Sequence, residues 1–177
     1  MLRTIQTLSV RDLMNDTPLL LQPSMGLHRA LGLLLDHQVI AAPVVSEGNI
    51  LVGFVSEQDI LRELWANDFD FDIERCIGDI MRDDIVSVTP QDTIDSLAAY
   101  MVFDPNKLFE EKTKAPERIP GNFSDDLARA QVCRPKLYPV VDNGIVLGTI
   151  DRHQLLKALH HLAKRSRMEQ SFESHNE

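Results

Sequence analysis

The sequence predicts an α/β fold in which two pseudo-symmetric repeats, each ordered strand, helix, strand, strand, helix, pack as one module. The first observation behind this is internal repetition. Val10-Arg11-Asp12-Leu13-Met14 recurs as Ile77-Gly78-Asp79-Ile80-Met81 and Pro23 recurs as Pro90, in both cases 67 residues on. Pro43-Val44-Val45 recurs as Pro139-Val140-Val141 after 96 residues, and Gly53 as Gly148 after 95. The change of offset places an insertion of about 29 residues in the second copy, between Met101 and Val132. The second observation is that within each copy the apolar pattern switches from helical spacing to β-branched runs around a glycine turn.

The elements follow in order. A short apolar stretch, Leu19-Leu20-Leu21 in one copy and Ile85-Val86-Ser87-Val88 in the other, reads as a strand that stops at the proline. A helix follows, with Ser24 and Asp92 as expected N-caps. Leu27, Ala30, Leu31 and Leu34, and likewise Ile94, Leu97, Ala98 and Met101, share one face of that helix and mark it as core. Two strands come next, Pro43 to Val45 with Ile50 to Val55, and Pro139 to Val141 with Ile145 to Ile150. The Asn143-Gly144 pair between the latter two is a strong hairpin signal. A second helix closes each unit, from Ser56 to about Trp65 and from Asp151 to about Ala163. These readings set the expected boundaries: repeat 1 at 8–66, an acidic linker at 67–75, repeat 2 at 76–163 with its insertion at about 103–131, and a polar tail at 164–177. One unit of this size buries too little surface to stand alone, so the two are expected to share a body.

Composition narrows the function. Eighteen Lys and Arg against 27 Asp and Glu give a net charge of −9, which disfavours nucleic acid and anionic membranes as partners. Seven of those excess charges lie between Glu57 and Asp84, where ten acids face only Arg62, Arg75 and Arg82. The alternation Asp68-Phe69-Asp70-Phe71-Asp72 reads as an extended linker whose phenylalanines dock, or as a strip for a basic partner. Cys76 and Cys133 build neither a disulfide framework nor a zinc spacing, so a reducing compartment is expected. The N-terminal residues lack an apolar signal core and no run is long enough to span a bilayer, so the expectation is a cytoplasmic protein. His153, His160 and His161 have no partner at ligand spacing, and no metal is expected. No phosphate loop, nucleophile elbow or HExxH motif is present, so no catalytic residues are assigned. The insertion, with Pro105, Pro116, Pro120 and Gly121, reads as a surface excursion that either covers or fills the second repeat's site or is a disordered surface loop.

The chemistry that remains sits at the start of the second helix, in Gly53-Phe54-Val55-Ser56-Glu57-Gln58-Asp59-Ile60. Ser56 and Asp59 can form a capping box. The same atoms can serve a ligand: the free N–H groups and the Ser56 hydroxyl suit a phosphate, and a carboxylate one turn on suits the two hydroxyls of a ribose.

The repeated order, the Asp-Leu-Met and Asp-Ile-Met starts, the proline followed by two valines, and Gly-Phe-Val-Ser-x-x-Asp-Ile together resemble a pair of CBS domains, the stand-alone bacterial-type tandem known as a Bateman module. The resemblance covers most of residues 8 to 163. It implies a regulatory module rather than an enzyme, which binds an adenosyl ligand in a cleft between the repeats and signals to a partner protein. AMP, ADP, ATP, NAD and S-adenosylmethionine all fit that description, and no cofactor is required. A homodimer is also implied. Carried onto this chain, Asp59 would hold ribose and Ser56 phosphate, while Ala41, Ala42 and the strand opening at Thr17 to Leu19 would hold the purine. Lys136, Arg134 and Arg152 are candidate phosphate contacts. The second repeat departs from the pattern, with Asp151 at the hydroxyl position and Gln154 at the ribose position. An aspartate there repels an anion, so this site reads as degraded. Tyr138 beside it either stacks on a base or is buried against the sheet. The competing reading is a structural dimerisation or scaffold module with ligand-free sites, in which Ser56 and Asp59 are only caps.

Overall fold

Paired β-branched runs form two antiparallel hairpins in the computed structural model, which describes residues 8–69, 74–102 and 136–173. In the first, β1 (Ala41–Val45) pairs with β2 (Leu51–Ser56), Ala41 opposite Ser56 and Pro43 opposite Phe54. In the second, β3 (Leu137–Asp142) pairs with β4 (Ile145–Asp151), Leu137 opposite Asp151 and Pro139 opposite Thr149. Both carry a register shift at the same point, Val44/Val45 and Val140/Val141. Asn143 and Gly144 turn the second hairpin with φ of 51° and 83°, the left-handed pair that an Asn-Gly turn provides.

Helices cover each hairpin. α1 (Leu27–Asp36) buries Leu27, Ala30 and Leu34 and packs on α2 (Glu57–Ala66). α3 is a single turn at Ile77–Ile80. α4 (Ile94–Val102) packs on α5 (Arg152–Glu173). The two cores are separate: Leu21, Ala30, Leu34, Val44, Val55 and Ile60 lead the first, and Ile94, Leu97, Tyr138, Val140, Ile150 and Leu155 the second.

The units do not keep their own leading segments. The turn at Val10–Asp12 docks on the start of α4, with Val10 N–H donating to Asp92 O at 2.8 Å, and Val10 belongs to the second core. Reciprocally, α3 docks on the start of α1, with Ile77 N–H donating to Met25 O at 2.8 Å, and Ile77 belongs to the first core. The residues that follow complete the exchange. Asn15 pairs by two backbone hydrogen bonds with Thr149 on β4, and Arg82 pairs in the same way with Phe54 on β2. Glycine gives room where these segments cross: a Cβ on Gly148 would lie 2.5 Å from the Asn15 carbonyl oxygen, and one on Gly53 would meet the Met81 side chain. The hairpins also touch directly, with Leu51 N–H donating to Gly144 O at 2.9 Å.

Several local expectations are corrected. The strands anticipated at Leu19 to Leu21 and Ile85 to Val88 reduce to single parallel bridges, Leu21 to Val44 and Val88 to Val140. Pro23 and Pro90, two residues further on, have no N–H with which to continue a ladder. Ser24 does not cap α1; Gly26 occupies that position and the first helical N–H, of Leu27, is satisfied by Arg75 O. In the second copy Thr93 rather than Asp92 caps α4, its Oγ1 accepting from Ser96 N–H at 3.2 Å, while Asp92 accepts from Thr89 N–H. The last helix continues to Glu173, ten residues past the expected end. The insertion lies outside the described residues.

Candidate functional site

β2 runs directly into α2, and this junction fixes Ser56 and Asp59. Ser56 is extended and caps the helix: its Oγ accepts from Asp59 N–H, while Asp59 Oδ2 accepts from Ser56 N–H at 3.0 Å and from the Ser56 hydroxyl. Ala41 lies across the hairpin from Ser56, and Glu57 N–H donates to Ile40 O, so the start of β1 and the start of α2 form one corner. Ala41 and Ala42 are buried there.

The other oxygen of Asp59 faces residues that sequence reasoning did not select. Arg82 donates to Oδ1 through Nε at 3.0 Å and Nη2 at 2.8 Å, and Arg62 adds Nη1 at 3.1 Å. The Asp59 side chain is 4% exposed, whereas those of Arg62 and Arg82 are 60% and 48% exposed. Burial pushes the carboxyl pKa up, but the Ser56 hydrogen bond and the Arg82 guanidinium outweigh it and hold Asp59 below its ordinary value. Asp59 is therefore a buried anion held between its own helix cap and a cation delivered by the other repeat. The signal for Arg82 was present in the sequence: it occupies the position after the repeated Asp-x-Met, where the first copy has Asn15. Its use depends on the exchange of leading segments, which the repeat pattern does not reveal.

The exchange also relocates Thr17. Its N–H and hydroxyl both meet Asn15 Oδ1 at 3.2 Å, and Asn15 pairs with Thr149 on the second repeat. Leu19 stays with the first repeat, packed against its core. Thr17 and Leu19 thus flank different junctions, because the chain crosses from one repeat to the other between them.

The second junction is a cavity of about 370 Å³ lined by residues including Asn15, Asp16, Leu137, Thr149, Asp151 and Gln154. Asp151 and Gln154 cap each other, N–H to side-chain oxygen, at 2.7 Å in both directions, and the Gln154 amide also reaches Leu13 O at 3.4 Å. Two carboxylates and no Lys or Arg line it among the described residues. Lys136 and Arg152 are exposed next to its rim residues Leu137 and Asp151, and Arg134 lies outside the described residues. Tyr138 is fully buried in the second core with its ring edge-on to Tyr100, centroids 6.1 Å apart, which leaves no face for a base. Among the described residues no group of three or more His, Cys, Asp or Glu can hold a metal ion, and no helix is long and apolar enough to cross a membrane.

Two duplicated α/β units thus exchange their leading segments, with a Ser-x-x-Asp corner at the seam. Residues 10–66 match the family model of the CBS domain, and the chain shares the fold of solved CBS pairs. Similar solved structures share that fold. A protein of Vibrio cholerae named for acetoin utilization, AcuB, superposes with a TM-score of 0.65 at 21% identity, over 91% of this chain and 96% of that one. The CBS pair of protein MJ0100, in complex with 5′-methylthioadenosine and S-adenosyl-L-methionine, gives 0.61 at 18% identity, over 87% and 97%. CBSX2 in complex with AMP gives 0.59 at 22% identity, over 88% and 98%. Among curated proteins, an uncharacterized protein of Methanocaldococcus jannaschii is 27% identical over 93 residues, and a homoserine O-acetyltransferase of Methanocorpusculum labreanum 29% identical over 94. The chain spans only 32% and 18% of their respective lengths.

Proposed function

We propose that the chain is a non-enzymatic regulatory module that binds an adenosyl ligand at the junction of the two repeats and signals the change to another protein. The observation that carries the proposal is the Asp59 corner. A carboxylate at the start of a helix, beside a hydroxyl and two arginines, offers an acceptor for ribose hydroxyls and donors for phosphate within one turn. Similarity in fold to pairs solved with AMP and with S-adenosyl-L-methionine supports the same reading. In it Asp59 takes the ribose, Ser56 and Arg82 take phosphate, and Ala41, Ala42 and Leu19 border the purine. The repeats are 8–66 and 76–163, and the working unit is a homodimer. The Asp151 and Gln154 junction is ligand-poor for nucleotides because its lining carboxylates repel phosphate.

One observation favours a second reading. Asp59 accepts from Ser56, Arg62 and Arg82 and so ties the two repeats together, which lets the same corner serve as an interlock of a ligand-free scaffold. Calorimetric titration with AMP, ADP, ATP, NAD and S-adenosylmethionine separates the two. The proposal expects heat from at least one ligand and its loss in Asp59→Asn. No heat from any of them leaves the scaffold reading standing.

A further inference from the structure

The Asp59 carboxylate has no free acceptor position. It offers about four lone-pair sites, and it takes five donors: Ser56 N–H, the Ser56 hydroxyl, Arg62 Nη1, and Arg82 Nε and Nη2. A ribose diol cannot be added to this set and must replace part of it. The Ser56 bonds are the helix cap and lie within one turn. Arg82 is different: it comes from 23 residues away, its guanidinium is half exposed, and its backbone is held separately by the pair with Phe54. Its side chain can therefore leave Asp59 without the segment moving.

What it leaves for decides which ligands bind. A departing guanidinium gives up charge-assisted hydrogen bonds to a buried anion, and only another anion replaces them in kind. An uncharged nucleoside brings ribose hydroxyls but no such partner. A nucleoside carrying a 5′-phosphate brings both, and a planar guanidinium matches phosphate in two parallel bonds. We propose that Arg82 is an exchangeable counter-ion, which passes from Asp59 to the ligand's phosphate and so makes this junction select phosphorylated adenosyl ligands over neutral or cationic ones. The inference rests on the adenosyl-ligand reading and narrows it to AMP, ADP, ATP or NAD rather than S-adenosylmethionine. Arg62, exposed on the outer turn of α2, stays with Asp59 and keeps the carboxylate charged through the exchange.

The test is the ratio of AMP to adenosine affinity, measured by calorimetry on the wild type and on Arg82→Gln, with Arg82→Met as the second variant should the first not fold. The wild type is expected to prefer AMP by about tenfold or more. Each variant should bind adenosine more tightly than the wild type and AMP more weakly, so that the ratio approaches one. Adenosine binding that appears only in the variants also supports the exchange. A ratio unchanged in variants that still bind overturns the role of Arg82 and leaves the adenosyl-ligand reading intact. No binding of either ligand to any of the proteins overturns the role of Arg82, and no binding of ADP, ATP, NAD or S-adenosylmethionine as well overturns the adenosyl-ligand reading with it.

Discussion

Replacing Gly148 by alanine should destabilise the protein, whereas the same change at its repeat partner Gly53 should not. At Gly148 the new Cβ lies 2.5 Å from the Asn15 carbonyl oxygen and 3.2 Å from Met14 Sδ. The oxygen is backbone, and relieving the overlap means parting Asn15 from Thr149, whose two hydrogen bonds are 2.8 and 3.0 Å long. Each is worth about 0.5–1.5 kcal/mol net, while alanine returns about 0.4–1 kcal/mol by restricting the unfolded chain. The balance is a loss of about 1–2 kcal/mol. At Gly53 the Cβ overlaps Met81 Sδ and lies 2.8 Å from its Cγ and 3.1 Å from its Cβ, so a rotamer change of this unbranched side chain clears the outer atoms and leaves a shift of only a few tenths of an ångström at the Met81 Cβ. The Arg82 and Phe54 pair need not move, and the expected change is within about 1 kcal/mol of zero. Urea unfolding followed by circular dichroism measures both, and an unchanged m-value shows that the comparison is between like transitions. If Gly53→Ala costs as much as Gly148→Ala, the crossing segments do not sit on β2 and β4 as described.

Two further predictions concern the seam. Because the carboxyl of Asp59 is held below its ordinary value of 3.8, the stability it contributes is complete above that pH and is lost as pH falls through the lower, folded value. Asp59→Asn should therefore be less stable at pH 7 by about 1–2 kcal/mol, less than for a fully buried pair because both arginines regain water. The gap between variant and wild type should close in acid, and a gap that holds constant down to pH 2 would contradict the geometry. Ile77→Ala should cost about 2–4 kcal/mol, as expected for a fully buried aliphatic side chain. Hydrogen exchange should quicken in α1 and β1 of the first repeat; quickening confined to α4 and β3 would contradict the exchange of leading segments.

The sequence carried the architecture well because duplication supplied two independent readings of each element. The hairpins, the apolar faces of α1 and α4 and the Ser56 cap all rest on short-range rules, and the structure has them. What the sequence did not carry was which copy each leading segment serves. Val10 and Ile77 are apolar residues at equivalent points, and either core could receive either one. That single ambiguity separates Thr17 from Asp59 and hides Arg82. The caps failed for a related reason. Ser24 is a good cap by type, but the α1 N–H it would satisfy is claimed by a carbonyl from the far side of the linker, a contact with no local signature.

The reciprocal placement of Val10 and Ile77 bears on how such a chain could have arisen. Each half lacks a piece of its own core and carries the piece that the other half needs. A chain holding a single repeat would find its missing piece only in a second copy of itself, related by a two-fold axis. Fusion of two genes would turn that contact between subunits into one within a chain without changing the packing. Once fused, the copies are free to diverge, one keeping Ser56 and Asp59 and the other becoming Asp151 and Gln154. A cut at residues 70–73 should then leave two fragments that stay together, since the traded segments hold the halves.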